Sequence, residues 1–548
     1  MKNKYFNSII PKIWIVLVLL GVVNSGCNDN LFDKQPLDSV SDATFWKTES
    51  DATLALSGCY RSRNKDWGEW TSDDFWTPWS LVQMDIMAGN GAEKEGNPDK
   101  ITDGTLNSTN GMISDYWGHS YKRITACNNF LEHIDQITMD ASKKSIMVAE
   151  VRTIRAFEYF NMAFYFGDVP LIQKVLTVGE ANSVTRAPRA DVWAFAETEL
   201  KESAAALPLT RPDAENGRIT EGAALAILGR LQMAEQKWTA AVATYKTIID
   251  NNTYIIDPKF RELFWEANEQ NKEFILTSQY KEDVYQQVVL QFIYPEMFNG
   301  WHQFSPYNEL VKDFECTDGK TIDVSPLYDK NNPYNNRDPR LDASVLIPDR
   351  GKFRGVTYTT NPTSCDADKF GKYPVWSGYC ISKFMDEGFN GNLMNYGGNW
   401  PIIRYAEVLL SYLESKLESG ATIDQTLLDQ TINKVRGRAA VNMPAVTITD
   451  PTELRKIVRR ERRVEFAWEG LRYYDILRWG IAADVLNGTY HGMKLTNDPA
   501  NYTTYPVDAE GYFVMGKTRA FKKGVNELWP IPQSERDINK NLTQNTGY

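Results

Sequence analysis

The chain has 548 residues, with 60 Lys and Arg against 71 Asp and Glu and a net charge of -11; this excludes a nucleic-acid surface, which needs clustered, unpaired cations. At 42% hydrophobic and 24% charged residues it reads as a folded globular chain, one large domain or two packed intimately together. Its six cysteines are too few for a disulfide-dense scaffold. Neither their spacing nor the scattered His119, His133, His302 and His491 suits a zinc site, so no metal and no cofactor is expected.

The chain opens with Lys2, Lys4 and Lys12 around an apolar run from Ile13 to Val23. That run is shorter than the ~20 residues of a membrane span and has the character of an export signal. Val23, Asn24, Ser25, Gly26 and Cys27 resemble the box at which bacterial lipoproteins are cleaved and acylated, with Asn24 where leucine is usual. On this reading residues 1–26 are a signal peptide and Cys27 carries diacylglycerol and a further acyl chain such as palmitate. Each buried CH₂ contributes ~0.8 kcal/mol, so the anchor holds firmly. Ordinary cleavage after Ser25, giving a free product, is the alternative. Residues 27–44 are polar and acidic, the composition of a tether. With Cys27 assigned to lipid, an odd number of cysteines remains; Cys365 and Cys380 are the candidate pair within one loop.

Ordered sequence is expected from Phe45 and Trp46, with a helix from Ser50 to Tyr60 behind a Ser/Asp cap. Residues 61–120 carry Trp67, Trp70, Trp76, Trp79 and Trp117 with little helical period until the end. From Ala149 to Phe166, Ala156, Tyr159, Phe160, Ala163 and Phe164 mark one helical face; Gly167 and Pro170 stop it. In 216–251, Ala223, Ile227, Leu231 and Ala234 form one stripe and Trp238, Ala241, Val242, Tyr245, Ile248 and Ile249 another. The short break between them predicts an antiparallel hairpin, and Ala226, Gly229 and Ala241 permit the close approach of tetratricopeptide-like units. A second pair is expected at 401–440, with Leu409, Leu413 and Leu417 on one helix and Leu428, Ile432 and Val435 on the next. Residues 296–400 are loop-rich, and short strands are expected near 357–360 and 507–514. Glu461, Glu465, Glu469, Asp475 and the arginines among them read as structural ion pairs rather than catalytic carboxylates. Near the C-terminus Ser534 is a candidate cap behind Pro530 and Pro532.

A sugar ring offers a C–H face that matches a flat aromatic ring and a hydroxyl rim that matches polar side chains. Two segments combine these. In 70–90, Trp76 and Trp79 stand near Asp73, Asp74, Asp85 and Asn90; in 297–310, Trp301, His302, Gln303, Tyr307 and Asn308 follow one another, with Gly300 and Pro306 marking a loop. The expected ligand contacts are Trp76, Trp79, Asp85, Asn90, Trp301, Gln303 and Tyr307, with no catalytic residue. A surface hydrolase using Asp73 and Asp85 is the rival from another class.

RYAEVLLSYLES at 404–415, INKVRGRAA at 432–440, ERRVEFAWEGLRYYDILRWG at 461–480 and LWPIPQSERDINKNLTQNTGY at 528–548 resemble the hallmark segments of the SusD/RagB family. RAFEYFNMAFYFGDVPLI at 155–172 and GRITEGAALAILGRL at 217–231 resemble its N-terminal half in the same order. The resemblance implies a mainly α fold: tetratricopeptide-like helix pairs forming a superhelical scaffold, with long loop-rich insertions and a few short strands. It implies an N-terminal region at 45–260 and a C-terminal region at 261–548, packed as one unit. It further implies a surface-exposed outer-membrane lipoprotein that binds a glycan and delivers it to a SusC-like TonB-dependent barrel transporter; a peptide or another nutrient is the alternative ligand. Asp29 and Asp33 resemble the acidic export tag of such lipoproteins.

Overall fold

The computed structural model describes residues 45–61, 73–373, 376–495, 502 and 504–548; the leader, Cys27, the tether, Trp67 and Trp70 lie outside them. In chain order the principal helices are α1 (Glu49–Tyr60), α2 (Pro78–Met87), α3 (Gly111–His133), α4 (Ala141–Phe166), α5 (Arg189–Ala206), α6 (Glu221–Ala234), α7 (Trp238–Asp250), α8 (Tyr405–Glu418), α9 (Pro451–Glu465), α10 (Leu471–Arg478) and α11 (Gln533–Ile538). The longer strands are β1 (Gly91–Glu93), β2 (Phe274–Ser278), β3 (Phe304–Pro306), β4 (Trp400–Arg404), β5 (Gly488–Lys494) and β6 (Tyr512–Arg519). They form two-stranded antiparallel ladders, β1 with β3, β2 with β4 and β5 with β6.

The helices pack in succession: α1 on α3, α3 on α4, α4 on α5, α5 on α6, α6 on α7, α7 on α8 and α8 on α9. This is the tetratricopeptide-like superhelix expected. The hairpin of α6 and α7 turns within Glu235–Lys237, and its closeness has a visible cause: a Cβ on Gly229 would lie 2.4 Å from the ring of Tyr245, so the phenol packs directly on helix backbone. α4 is buried on every side from Thr153 to Phe166, a central helix rather than a one-faced one.

Several local expectations are corrected. The first helix begins at Glu49, and its cap is Thr48, whose hydroxyl accepts from Asp51 N while the Asp51 carboxylate accepts from Thr48 N. α2 lies where little helical period was read, because all ten of its residues are buried and no polar face remains to mark a period. Residues 401–404, at the head of the segment read as a helix pair, form strand β4 with Trp400, paired with β2. The partner of α8 is broken at Thr431 (φ -122°, ψ -98°) into Gln425–Gln430 and Ile432–Arg436. Ser534 lies inside α11, whose first turn has no side-chain cap. Cys365 and Cys380 are separate buried thiols; the Cys380 thiol donates to Ile293 O at 3.1 Å instead of meeting a partner sulfur. The short ladder of Lys352–Phe353 with Val356–Thr357 and strand β6 fall beside the strands expected near 357–360 and 507–514.

The acidic segment is tied to distant arginines. Glu461 accepts from Arg340 and Arg436, and Glu465 from Arg340, Arg404 and Arg438; Glu469 accepts from Arg404 and Lys383. Asp475 pairs with Arg462 and Arg478. All these charged side chains are buried, so each charge has its counter-charge inside the protein. This network joins β4, α9, α10 and the segment around Arg340 into one body.

Candidate functional site

The short helix Val289–Ile293 and the turn after it form one wall of a cleft. Three backbone bonds zip the returning chain onto that helix: Trp301 N to Gln291 O at 2.7 Å, His302 N to Tyr294 O at 2.9 Å and Gln303 N to Phe292 O at 2.7 Å. Asn299 and His302 take positive φ of 67° and 45° to make the turn. His302 is held from behind, its Nδ1 2.8 Å from Asp368 Oδ1 and its ring stacked on Trp376. Burial favours the neutral imidazole, but Cys380 and the Asp368 carboxylate outweigh it and raise the His302 pKa to about 10. The ring is therefore a charged structural pin.

The result is that Trp301 points outward. At 40% exposure it is the one exposed aromatic side chain among the described residues. Its edge rests on Phe292, with ring centres 4.8 Å apart and planes at 87°. Phe292 also packs on Trp79 of α2, ring centres 4.6 Å apart; the Trp79 Nε1 donates to Gln83, whose amide in turn donates to Asp73. These rings floor a cleft of about 790 Å³, within the range of ligand-sized sites. β1 pairs with β3 from Gly91 opposite Pro306 to Glu93 opposite Phe304. Only glycine fits at 91, since a Cβ would come within 2.6 Å of Ser305 O. The ladder continues as Lys94 N donates to Gln303 O at 2.8 Å, bringing the loop at 95–110 over the cleft.

That loop supplies the polar rim. Glu95, Asn97, Lys100, Thr105, Asn107, Thr109 and, from α3, Asp115 line the cleft and are exposed. Lys100 Nζ donates to Asn97 Oδ1 at 3.2 Å, and Asn107 Oδ1 accepts from the backbone and hydroxyl of Thr109 at 3.0 and 2.7 Å. Hydroxyl-sized donors and acceptors therefore surround an aromatic floor.

Of the expected contacts, Trp79, Trp301 and Gln303 meet at this cleft, and Asp73 lines it. Gln303 donates to the buried Glu93, leaving its amide oriented by the protein. The others stand elsewhere. Trp76 is buried against Phe157, with Nε1 donating to Glu158 at 2.7 Å and Arg123 over its face. Asp85 is sealed in the core, accepting from Gly470 N at 2.6 Å and Asn90 Nδ2 at 2.5 Å; burial raises its pKa to about 6. Asn90 also accepts from Arg463 at 3.0 Å. Tyr307 is buried against Tyr490, ring centres 4.4 Å apart. Asp85, Asn90 and Tyr307 thus brace the back of the site, where β1, β3 and α9 meet. Asp73 and Asp85 do not share the cleft, which removes the geometric basis for a paired-carboxylate hydrolase there. Among the described residues no three His, Cys, Asp or Glu side chains are grouped to hold a metal ion.

Sequence reasoning missed Phe292, Gln83 and the rim at 95–115. The run DGTLNSTNG at 103–111, rich in Asn and Thr and without an apolar period, was the available signal for a polar loop.

A family model described as "SusD family" matches residues 265–548, and one described as "Starch-binding associating with outer membrane" matches 74–233. SusD-like protein P2 of Formosa agariphila is 24% identical over 504 residues, covering 86% of this chain and 91% of that protein. A solved SusD-like carbohydrate binding protein from Bacteroides fragilis is 38% identical with a TM-score of 0.87, covering 91% of this chain and 100% of that one. A second SusD-like protein from the same organism is 26% identical, TM-score 0.75, over 94% and 100%. No described helix is long and apolar enough to cross a membrane.

Proposed function

The chain belongs to the SusD family, and from that premise we propose that it captures a glycan at the cell surface and passes it to a SusC-like TonB-dependent barrel in the outer membrane, without altering it. The reading is carried by Trp301, an exposed indole on a rigid mount at the mouth of a polar-rimmed cleft. The C–H face of a sugar stacks on the indole, and its hydroxyls reach Asn97, Asn107 and their neighbours. Carboxylates outnumber cations around the cleft, with Asp73, Glu95 and Asp115 against Lys100, so a neutral saccharide suits it better than an acidic one. Acylation of Cys27 would hold the body at the membrane through the tether.

Affinity electrophoresis through gels containing candidate polysaccharides tests the site. Wild type is expected to be retarded by one of them and Trp301→Ala to run free. Equal retardation of both proteins removes Trp301 from the site.

A further inference from the structure

A second cleft lies away from Trp301, where the end of α4 and the start of α5 meet the last turn of α10 and the C-terminal segment. Its volume is about 870 Å³, again within the range of ligand-sized sites, and its lining charges are unlike those of the buried network. Arg478 is satisfied, pairing with Glu414 and Asp475. Arg186 spends its donors on neutral oxygens, from Asp168 O, Thr543 and Asn545. The Arg189 guanidinium lies over the ring of Trp193 at 5.1 Å, and among the described residues no acceptor or carboxylate comes within bonding distance of it. The nearest acid, Asp168, instead uses Oδ1 to accept from Arg189 N at 2.8 Å. Opposite, Glu527 lines the same cleft with an Oε2 atom that is closed to solvent and has no hydrogen-bond partner.

The cleft therefore holds a half-buried guanidinium fork lacking an oxyanion, while the unpaired Glu527 oxygen is turned into the protein, out of a ligand's reach. Burial lowers the pKa of Arg189, the mark of a cation whose lost hydration its neighbours do not fully replace. A planar fork matches a carboxylate bidentately. Glu527 repels a second anionic group. We propose that this cleft is a second ligand site that takes a sugar acid, with Arg189 receiving the carboxylate and the polar residues 543–546, which line the cleft, beside the ring hydroxyls. The site is independent of the Trp301 cleft and of the ligand bound there.

Titration calorimetry of the full mature chain with glucuronate, galacturonate and their oligomers, with glucose as the uncharged control, tests this. Wild type is expected to bind a uronate and not glucose, more weakly as salt is raised. Arg189→Gln should weaken uronate binding at least tenfold, while leaving any Trp301-dependent retention on polysaccharide gels unchanged. Thermal melts establish that the variant is folded; if Arg189→Gln is not, Arg189→Lys replaces it and should lose part of the affinity. Absence of uronate binding by wild type, or undiminished binding by the folded variant, overturns the proposal.

Discussion

Arg404 Nη1 and Glu465 Oε1 lie 2.7 Å apart with both side chains closed to water. Arg404 reaches Glu465 from β4, and Arg438 and Arg340 complete the carboxylate's shell at 3.0 and 2.8 Å. Removing one member of such a set strands the others, which costs about 3–5 kcal/mol for a buried pair. Glu465→Gln is therefore expected to lower the unfolding free energy by that amount, read as the shift in denaturant midpoint; a change within ~0.5 kcal/mol would mean that the network contributes little.

The same network sets the response to acid. Burial raises the pKa of Glu465, Glu461 and Asp475, but the guanidiniums beside them outweigh it and hold all three below the ordinary carboxylate range. Groups with depressed folded pKa contribute stability that is fully present above the unfolded values, ~4, and is lost as pH falls through the folded ones. Melting temperature should hold between pH 7 and about 5, then fall steeply. His302 acts at the other end: its raised pKa contributes stability below about 6.5 that is lost as pH climbs through about 10. A melting temperature flat from pH 7 to pH 3 contradicts the acid half.

The two tryptophans at 76 and 301 should separate stability from binding. Trp301→Ala removes an exposed ring and is expected to weaken glycan binding by about 1–2 kcal/mol, roughly five- to thirtyfold, with melting unchanged. Trp76→Ala opens a cavity beside Phe157 and removes the indole donor from Glu158, which keeps Arg123 at 2.6 Å, a loss of about 3–5 kcal/mol. Calorimetry and melting of the pair check both halves; reversed roles would move the site.

Gly229→Ala should destabilise the α6–α7 hairpin. The new methyl would sit 2.4 Å from Tyr245, and overpacking of this kind costs about 1–3 kcal/mol. Adding Tyr245→Phe would not relieve the clash, since the ring itself is the obstacle. The double variant should melt no higher than Gly229→Ala.

Cys27→Ala tests the anchor. The variant is expected in the soluble fraction of an expressing cell, while wild type stays with the membranes and carries acyl mass on its N-terminal peptide. Equal partition of the two proteins would favour cleavage after Ser25.

The helix pair at 221–250 was legible because its faces are one-sided and its small residues mark the seam. α2 was hidden by its complete burial, and β4 by standing next to a helix whose apolar run continues it. Among the indoles, composition marks Trp76 and Trp301 alike; what separates them is a long-range fact, that Glu158 of α4 accepts from one ring while Phe292 props the other outward. Gly300 and Pro306 gave the only local hint. The ion pairing of Glu461 and Glu465 was legible in kind, but their partners come from Arg340, Arg404, Arg436 and Arg438, which no helical spacing joins to them.

The three backbone bonds that zip the chain at 301–303 onto the short helix before it bear on speed as well as shape. On the proposed reading, a ring already set in place on this turn adds no ordering cost of its own when a saccharide arrives. Such a mount would suit quick loading and unloading at modest affinity, throughput over storage.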